Sequence, residues 1–103
     1  MKDSDMATAN ATLTESSDAD TQQAANHIAE LRNRIDQIDA EIIALWLERA
    51  GLSQEVGATR VASGGTRLVL SREKEILERF RAALGADGTQ LALLILRAGR
   101  GPL

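Results

Sequence analysis

Apolar residues at positions 28, 31, 35, 38, 42, 45, 52 and 56 follow one another in alternating steps of three and four, with one beat missing. That period places them on one stripe of a long α-helix packed against another helix. The missing beat is position 49, where the stripe carries Arg49. A cation on a dry seam is costly unless something anionic meets it there. An isolated seam arginine can also pack its stem and let its head reach water, so the pattern alone leaves two readings of Arg49.

The stripe predicts a first helix that starts near Asn26, a suitable N-cap, and runs to about Ala62. At ~1.5 Å per residue such a rod is about 50 Å long. Two shorter companions cannot cover its seam, and a second copy of the same rod can, so the expectation is an intertwined homodimer. Ser63-Gly64-Gly65-Thr66 breaks the helix, and Arg67 to Leu70 form a connector. Ser71 is the expected N-cap of a second helix, with Ile76, Leu77, Phe80 and Leu84 as its apolar face and Gly85 at its C-terminal end. A third helix, started by Asp87 or Thr89, is expected from about Gln90 to Arg97. Leu91 to Leu96 are apolar all round and so should be buried on most sides. Gly99, Gly101 and Pro102 should end regular structure and leave Arg97 to Leu103 mobile in an isolated chain. No alternating strand pattern or internal repeat occurs. The expected class is all-α, a three-helix subunit with one long N-terminal helix.

Composition divides the chain in two. Residues 1–25 carry one Lys and five acids, with little apolar content beyond Leu13 and two Met, and are expected to be a disordered acidic tail. Residues 26–103 carry a net charge of +1 and form the expected functional domain. Cysteine is absent and His27 stands alone, which leaves no thiolate site and no triad. The net charge of −3, the 2% aromatic content and the absence of Tyr argue against a nucleic-acid partner. No apolar run is long enough to span a bilayer and no secretory leader is visible, so the expected location is the cytoplasm. Ten of the twelve basic residues are Arg, the side chain suited to gripping planar carboxylates at fixed geometry.

Arg49 and Arg60 are eleven residues apart, which on a helix points them within about 20° of each other with Cα atoms ~16 Å apart. Two such side chains can clasp a small dianion, although Arg60 read alone is a solvated helix end. Arg32 lies ~25 Å from Arg49 along the same axis, so it can join the pair only from an antiparallel partner rod; otherwise it is an ordinary surface charge. Arg72 and Glu73 open the second helix, where an arginine faces an unfavourable dipole and an anion would compensate. No nucleophile–base pair, metal cluster or phosphate loop emerges. Chemistry at such a site would rest on constraining a dicarboxylate and stabilising negative charge as it develops.

The run Leu31-Arg32-x-x-Ile35-Asp36-x-Ile38-Asp39, then Leu45-x-x-x-Arg49 and Val56-Gly57-x-x-Arg60, resembles the all-helical (type II, AroQ-class) chorismate mutases, as does Ser71-Arg72-Glu73 followed by Ile76-Leu77-Glu78-Arg79. The likeness covers residues 28–84 without a gap. The loop from Val61 to Leu70 and the ending Arg97-Ala-Gly-Arg100-Gly are similar to the short, stand-alone actinobacterial type. The resemblance implies an intertwined dimer of three-helix subunits. It implies a cofactor-free, metal-free isomerase that converts chorismate to prephenate, a Claisen rearrangement on the route to phenylalanine and tyrosine. Carried over by position, Arg49 and the partner chain's Arg32 would bind substrate carboxylates, with Arg72 assisting. Arg60 would face the ether oxygen, and Glu73 would accept from the substrate hydroxyl. Val69 stands where many relatives have Asp, so any contact there must use its backbone. Many relatives also place a polar donor late in the third helix, which the expected helix is too short to supply. Short relatives are activated by complexing with DAHP synthase, and the same is expected here through Arg97 to Leu103. Two alternatives stay open: an isochorismate pyruvate lyase of the same fold, and a non-catalytic helical dimerisation or regulatory subunit.

Overall fold

The computed structural model describes residues 2–101, with side chains from Ser17 onward; Met1, Pro102 and Leu103, and with the last two the end of the expected mobile tail, lie outside the described residues. Three helices follow one another: α1 (Lys2–Ala62), α2 (Leu70–Leu84) and α3 (Ala86–Arg100). No strand occurs among the described residues. Packing divides the chain into two units, Met1–Ala40 and Glu41–Leu103.

The first unit is the N-terminal stretch of α1. The helix begins at Lys2 rather than near Asn26. Neither Gly nor Pro occurs before Gly51, so nothing in the sequence interrupts it. Asn26 is not an N-cap: its Oδ1 accepts a hydrogen bond from Gln22 Nε2 at 2.9 Å, one helical turn back. Thr21 Oγ1 likewise donates to the Ser17 carbonyl at 2.8 Å. Every described side chain of this unit is exposed, including the stripe residues Ile28, Leu31, Ile35 and Ile38. The helix here rests on its own backbone bonds and on contacts one turn apart.

The second unit contains the rest of α1, the connector, α2 and α3. Ala62 ends α1 as the Ser63-Gly64-Gly65 break requires, with Gly64 at φ 88°. α2 starts earlier than expected. Its N-cap is Val69, in extended conformation and without a side-chain cap, and the Val69 carbonyl accepts the Glu73 N–H at 3.1 Å. Ser71 therefore lies inside the first turn; the connector delivers the chain in helical register two residues sooner than the capping residue signals. Ile76 is buried, with Leu77 and Phe80 packed against the core, while Leu84 at the end of the same face is exposed. Gly85 closes α2 at φ 71°, a value that favours glycine, and its N–H reaches the Arg81 carbonyl at 2.7 Å.

α3 departs most from expectation. It spans Ala86–Arg100, not Gln90 to Arg97, and its N-cap is Gly85 rather than Asp87 or Thr89. Arg97 to Arg100 are thus helical and not a mobile tail. The reason is Gly99, which is buried and serves close packing instead of breaking the helix. A Cβ there would lie 2.5 Å from Ser53 Oγ and 2.8 Å from Ser53 Cβ, so only glycine lets the end of α3 rest on α1. Beside it, Gln54 Nε2 donates to the Ala98 carbonyl at 3.0 Å. Of the run from Leu91 to Leu96, only Ala92 and Leu96 are buried, because α2 covers one face of α3 and leaves Leu91, Leu93 and Leu94 exposed.

Candidate active site

Arg49, Ser53, Val56 and Arg60 recur at helical spacing along α1 and share one face. That face forms one wall of a cavity of about 380 Å³. The connector adds Arg67 and Val69, α2 adds Arg72, Glu73 and Ile76, and α3 adds Leu96 and Arg100. Five guanidinium groups and one carboxylate line this space, a formal charge of +4.

Each cation is held differently. The loop after α1 lies directly over Arg60: a Cβ at Gly65 would come 2.6 Å from Arg60 Cγ, and the Gly65 N–H donates to the Arg60 carbonyl at 2.8 Å. Glycine at 65 is therefore a condition for the loop's approach to Arg60. The stem of Arg67 runs beside Gly57 on α1, with Arg67 Cγ 3.8 Å from where a Cβ would stand. Arg72 Nη1 pairs with Glu75 Oε2 at 3.3 Å, an exposed pair one turn along α2 that adds little stability. Glu73 is paired with the end of α3, its Oε1 lying 3.5 Å from Arg100 Nη1, and both side chains are largely withdrawn from solvent.

Arg49 is half-buried and holds its proton less firmly than a free guanidinium does. Burial is the main cause, followed by the positive charges of Arg72 and Arg79. Both effects penalise the charged form, and the attraction of a nearby anion would act against them. The cavity is thus arranged to take up negative charge.

A second cavity, of about 310 Å³, is almost wholly apolar. Ile42, Leu45, Trp46, Phe80, Leu91 and Ile95 line it, and Arg49 belongs to both spaces. The seam arginine therefore stands where an apolar groove meets a cationic one.

Of the side chains singled out in the sequence, Arg49, Arg60, Val69, Arg72 and Glu73 line the cationic cavity, and Arg32 does not. Arg67 and Arg100 line it without having been anticipated. The third helix is not too short to reach the site: its last turn delivers Arg100. Among the described residues no cluster of His, Asp or Glu could hold a metal ion, and no helix is long and apolar enough to cross a membrane.

Fold and cavity together define an all-helical protein with a small, strongly cationic cavity. Residues 31–95 match the family model for chorismate mutase type II, and the chain belongs to that family. It is 50% identical over 84 residues to the intracellular chorismate mutase of Mycolicibacterium smegmatis, a match covering 82% of this chain and 81% of that protein. It is 53% identical over 81 residues to the intracellular chorismate mutase of Mycobacterium tuberculosis H37Rv, covering 79% of this chain and 76% of the relative. Its fold matches a chain from a non-covalent complex of DAHP synthase and chorismate mutase from Corynebacterium glutamicum with a bound transition-state analogue. That match has a TM-score of 0.73 and 42% identity, and covers 78% of this chain and 96% of the other.

Proposed function

We propose that this chorismate mutase binds chorismate in the cationic cavity and rearranges it to prephenate, a step toward phenylalanine and tyrosine. The observation that carries the reading is five guanidiniums and a single carboxylate around one small cavity in a chain of this family. A Claisen rearrangement needs no nucleophile, no proton transfer and no cofactor. One C–O bond breaks as a C–C bond forms within one molecule, and negative charge grows on the ether oxygen. Catalysis then consists of holding a compact conformer and stabilising that oxygen. In this reading Arg60 donates to the ether oxygen, Arg49 and Arg72 grip carboxylates, and Glu73 accepts from the hydroxyl. Any contribution from Val69 comes from its backbone, whose carbonyl already accepts the Glu73 N–H.

The partner chain's Arg32 completes the carboxylate grip in an intertwined homodimer. Support comes from the exposed apolar stripe of α1 and from the apolar groove that shares Arg49 with the cationic cavity. Residues 1–25 act as an acidic solubilising tail in front of a catalytic domain at 26–103, and their removal leaves activity unchanged. The protein works in the cytoplasm, in line with relatives named intracellular.

A complex with DAHP synthase raises its activity, with Arg97 to Leu103 as the contact segment. The complex from Corynebacterium glutamicum supports this. The test is chorismate consumption by purified protein with product identification, with and without the synthase. Prephenate is the expected product, formed faster with the synthase present. Salicylate plus pyruvate would make the chain a lyase, and no consumption under either condition would make it non-catalytic. Full activity that the synthase leaves unchanged would remove the proposed activation.

A further inference from the structure

The Glu73 carboxylate stands in a space with five guanidiniums, any of which could draw it away from a substrate. What holds it is Arg100, in the last turn of α3, across to the first turn of α2. We infer that Arg100 is a positioning residue: it pins one oxygen of Glu73 to the cavity wall and leaves the other to accept the substrate hydroxyl. The inference rests on the functional reading above and adds a residue to it.

Three observations support the assignment. Arg100 and Glu73 are the only cavity side chains of opposite charge that pair with each other among the described residues; Arg72 is engaged by Glu75 outside the cavity. The pair is shielded, with side-chain exposures of 27% and 17%, so water and salt weaken it less than the surface pairs of α2. The helix end that carries Arg100 is itself fixed, by the Gly99 contact with Ser53 and by the Gln54 bond to the Ala98 carbonyl. A loose tail could not hold a carboxylate to a set position; a packed helix terminus can. Pairing with Arg100 also keeps Glu73 from neutralising Arg49 or Arg60, which are needed by the substrate's charges.

The test compares Arg100→Gln, of similar length and no charge, with Arg100→Lys, alone and in a Glu73→Gln background, using prephenate formation and thermal melts by circular dichroism. Arg100→Gln should lower kcat about 10- to 100-fold, with KM changed by less than about threefold. Arg100→Lys, which restores the charge, should recover kcat to within about threefold of the natural chain. In the Glu73→Gln background Arg100→Gln should cost less than about threefold further, because the carboxylate it positions is gone. An unchanged kcat in Arg100→Gln overturns the inference. So does a rise in KM alone, which would mean direct substrate binding, and so does an equal loss in both backgrounds. If Arg100→Gln melts out, the Lys variant decides: a folded Lys chain with tenfold-reduced kcat also overturns it. Should the natural chain form no prephenate, the functional reading falls and this inference with it; the other failures leave that reading standing.

Discussion

Arg60 bears the largest burden in the proposed reaction, because the charge it meets exists only as the C–O bond breaks. Removing one preorganised donor to a developing oxyanion costs about 10²- to 10³-fold in turnover elsewhere. Arg60→Ala should lose at least that much in kcat with its helical circular dichroism intact, and near-normal turnover would take Arg60 out of this role. Arg49 makes the opposite point. Burial and the charges of Arg72 and Arg79 lower its pKa, so the fold carries a cost for its charge. That cost is present while Arg49 is protonated and lifts only as pH rises through the depressed pKa. Arg49→Met at neutral pH should therefore raise the melting temperature while raising KM at least about tenfold, a trade of stability against binding. A lower melting temperature would mean that Arg49 is already paired in the free chain. Five of the residues that line the cationic cavity, Arg49, Arg60, Val69, Arg72 and Glu73, were legible in the sequence because helical arithmetic and a family pattern pointed to them. Arg67 was not, since a connector has no period from which to read direction.

Helix starts and stops were less legible than helix positions. At the end of α3 the misleading residue is a glycine. Gly99 reads as a breaker, yet it is the small residue that lets α3 lie against Ser53. The spacing of Ala92, Leu96 and Arg100, four residues apiece, already placed Arg100 on the buried face of a continuing helix. Gly99, which has the signature of a stop, masks that signal. Gly99→Ala should force a methyl group into Ser53 and cost about 1–3 kcal/mol, as overpacking does. At about 4–8 °C per kcal/mol for a chain of this size, the melting temperature should fall clearly. Turnover should fall with it, because the end of α3 carries Arg100. An unchanged melting temperature would mean that the α1–α3 contact gives way at no cost. At the other end of the chain Asn26 stands just before the stripe, where a cap is expected, but no Gly or Pro separates it from Lys2 and the helix runs through.

At the scale of the whole molecule, the amount of apolar surface left in the open decides the picture. Among the described residues the buried core comprises Ile76, Ala92 and Leu96, while Ile42, Leu45, Leu52, Val56, Leu93 and Leu94 remain exposed. Each large apolar side chain gains about 1.5–3 kcal/mol when fully covered, so a second copy on this surface would supply stability that the single chain lacks. In the sequence it is the length of the first rod, more than two short companions can cover, that calls for a second copy. A site shared between two copies can be tested by complementation. Arg32→Ala and Arg49→Ala homodimers should each be nearly inactive. Mixed in equal amounts and allowed to exchange, half of the dimers carry both kinds of chain, and each of these has one of its two sites free of either change. The mixture should then recover about a quarter of natural activity. No recovery, after exchange of chains has been verified, would contradict a cavity built by two chains around one substrate.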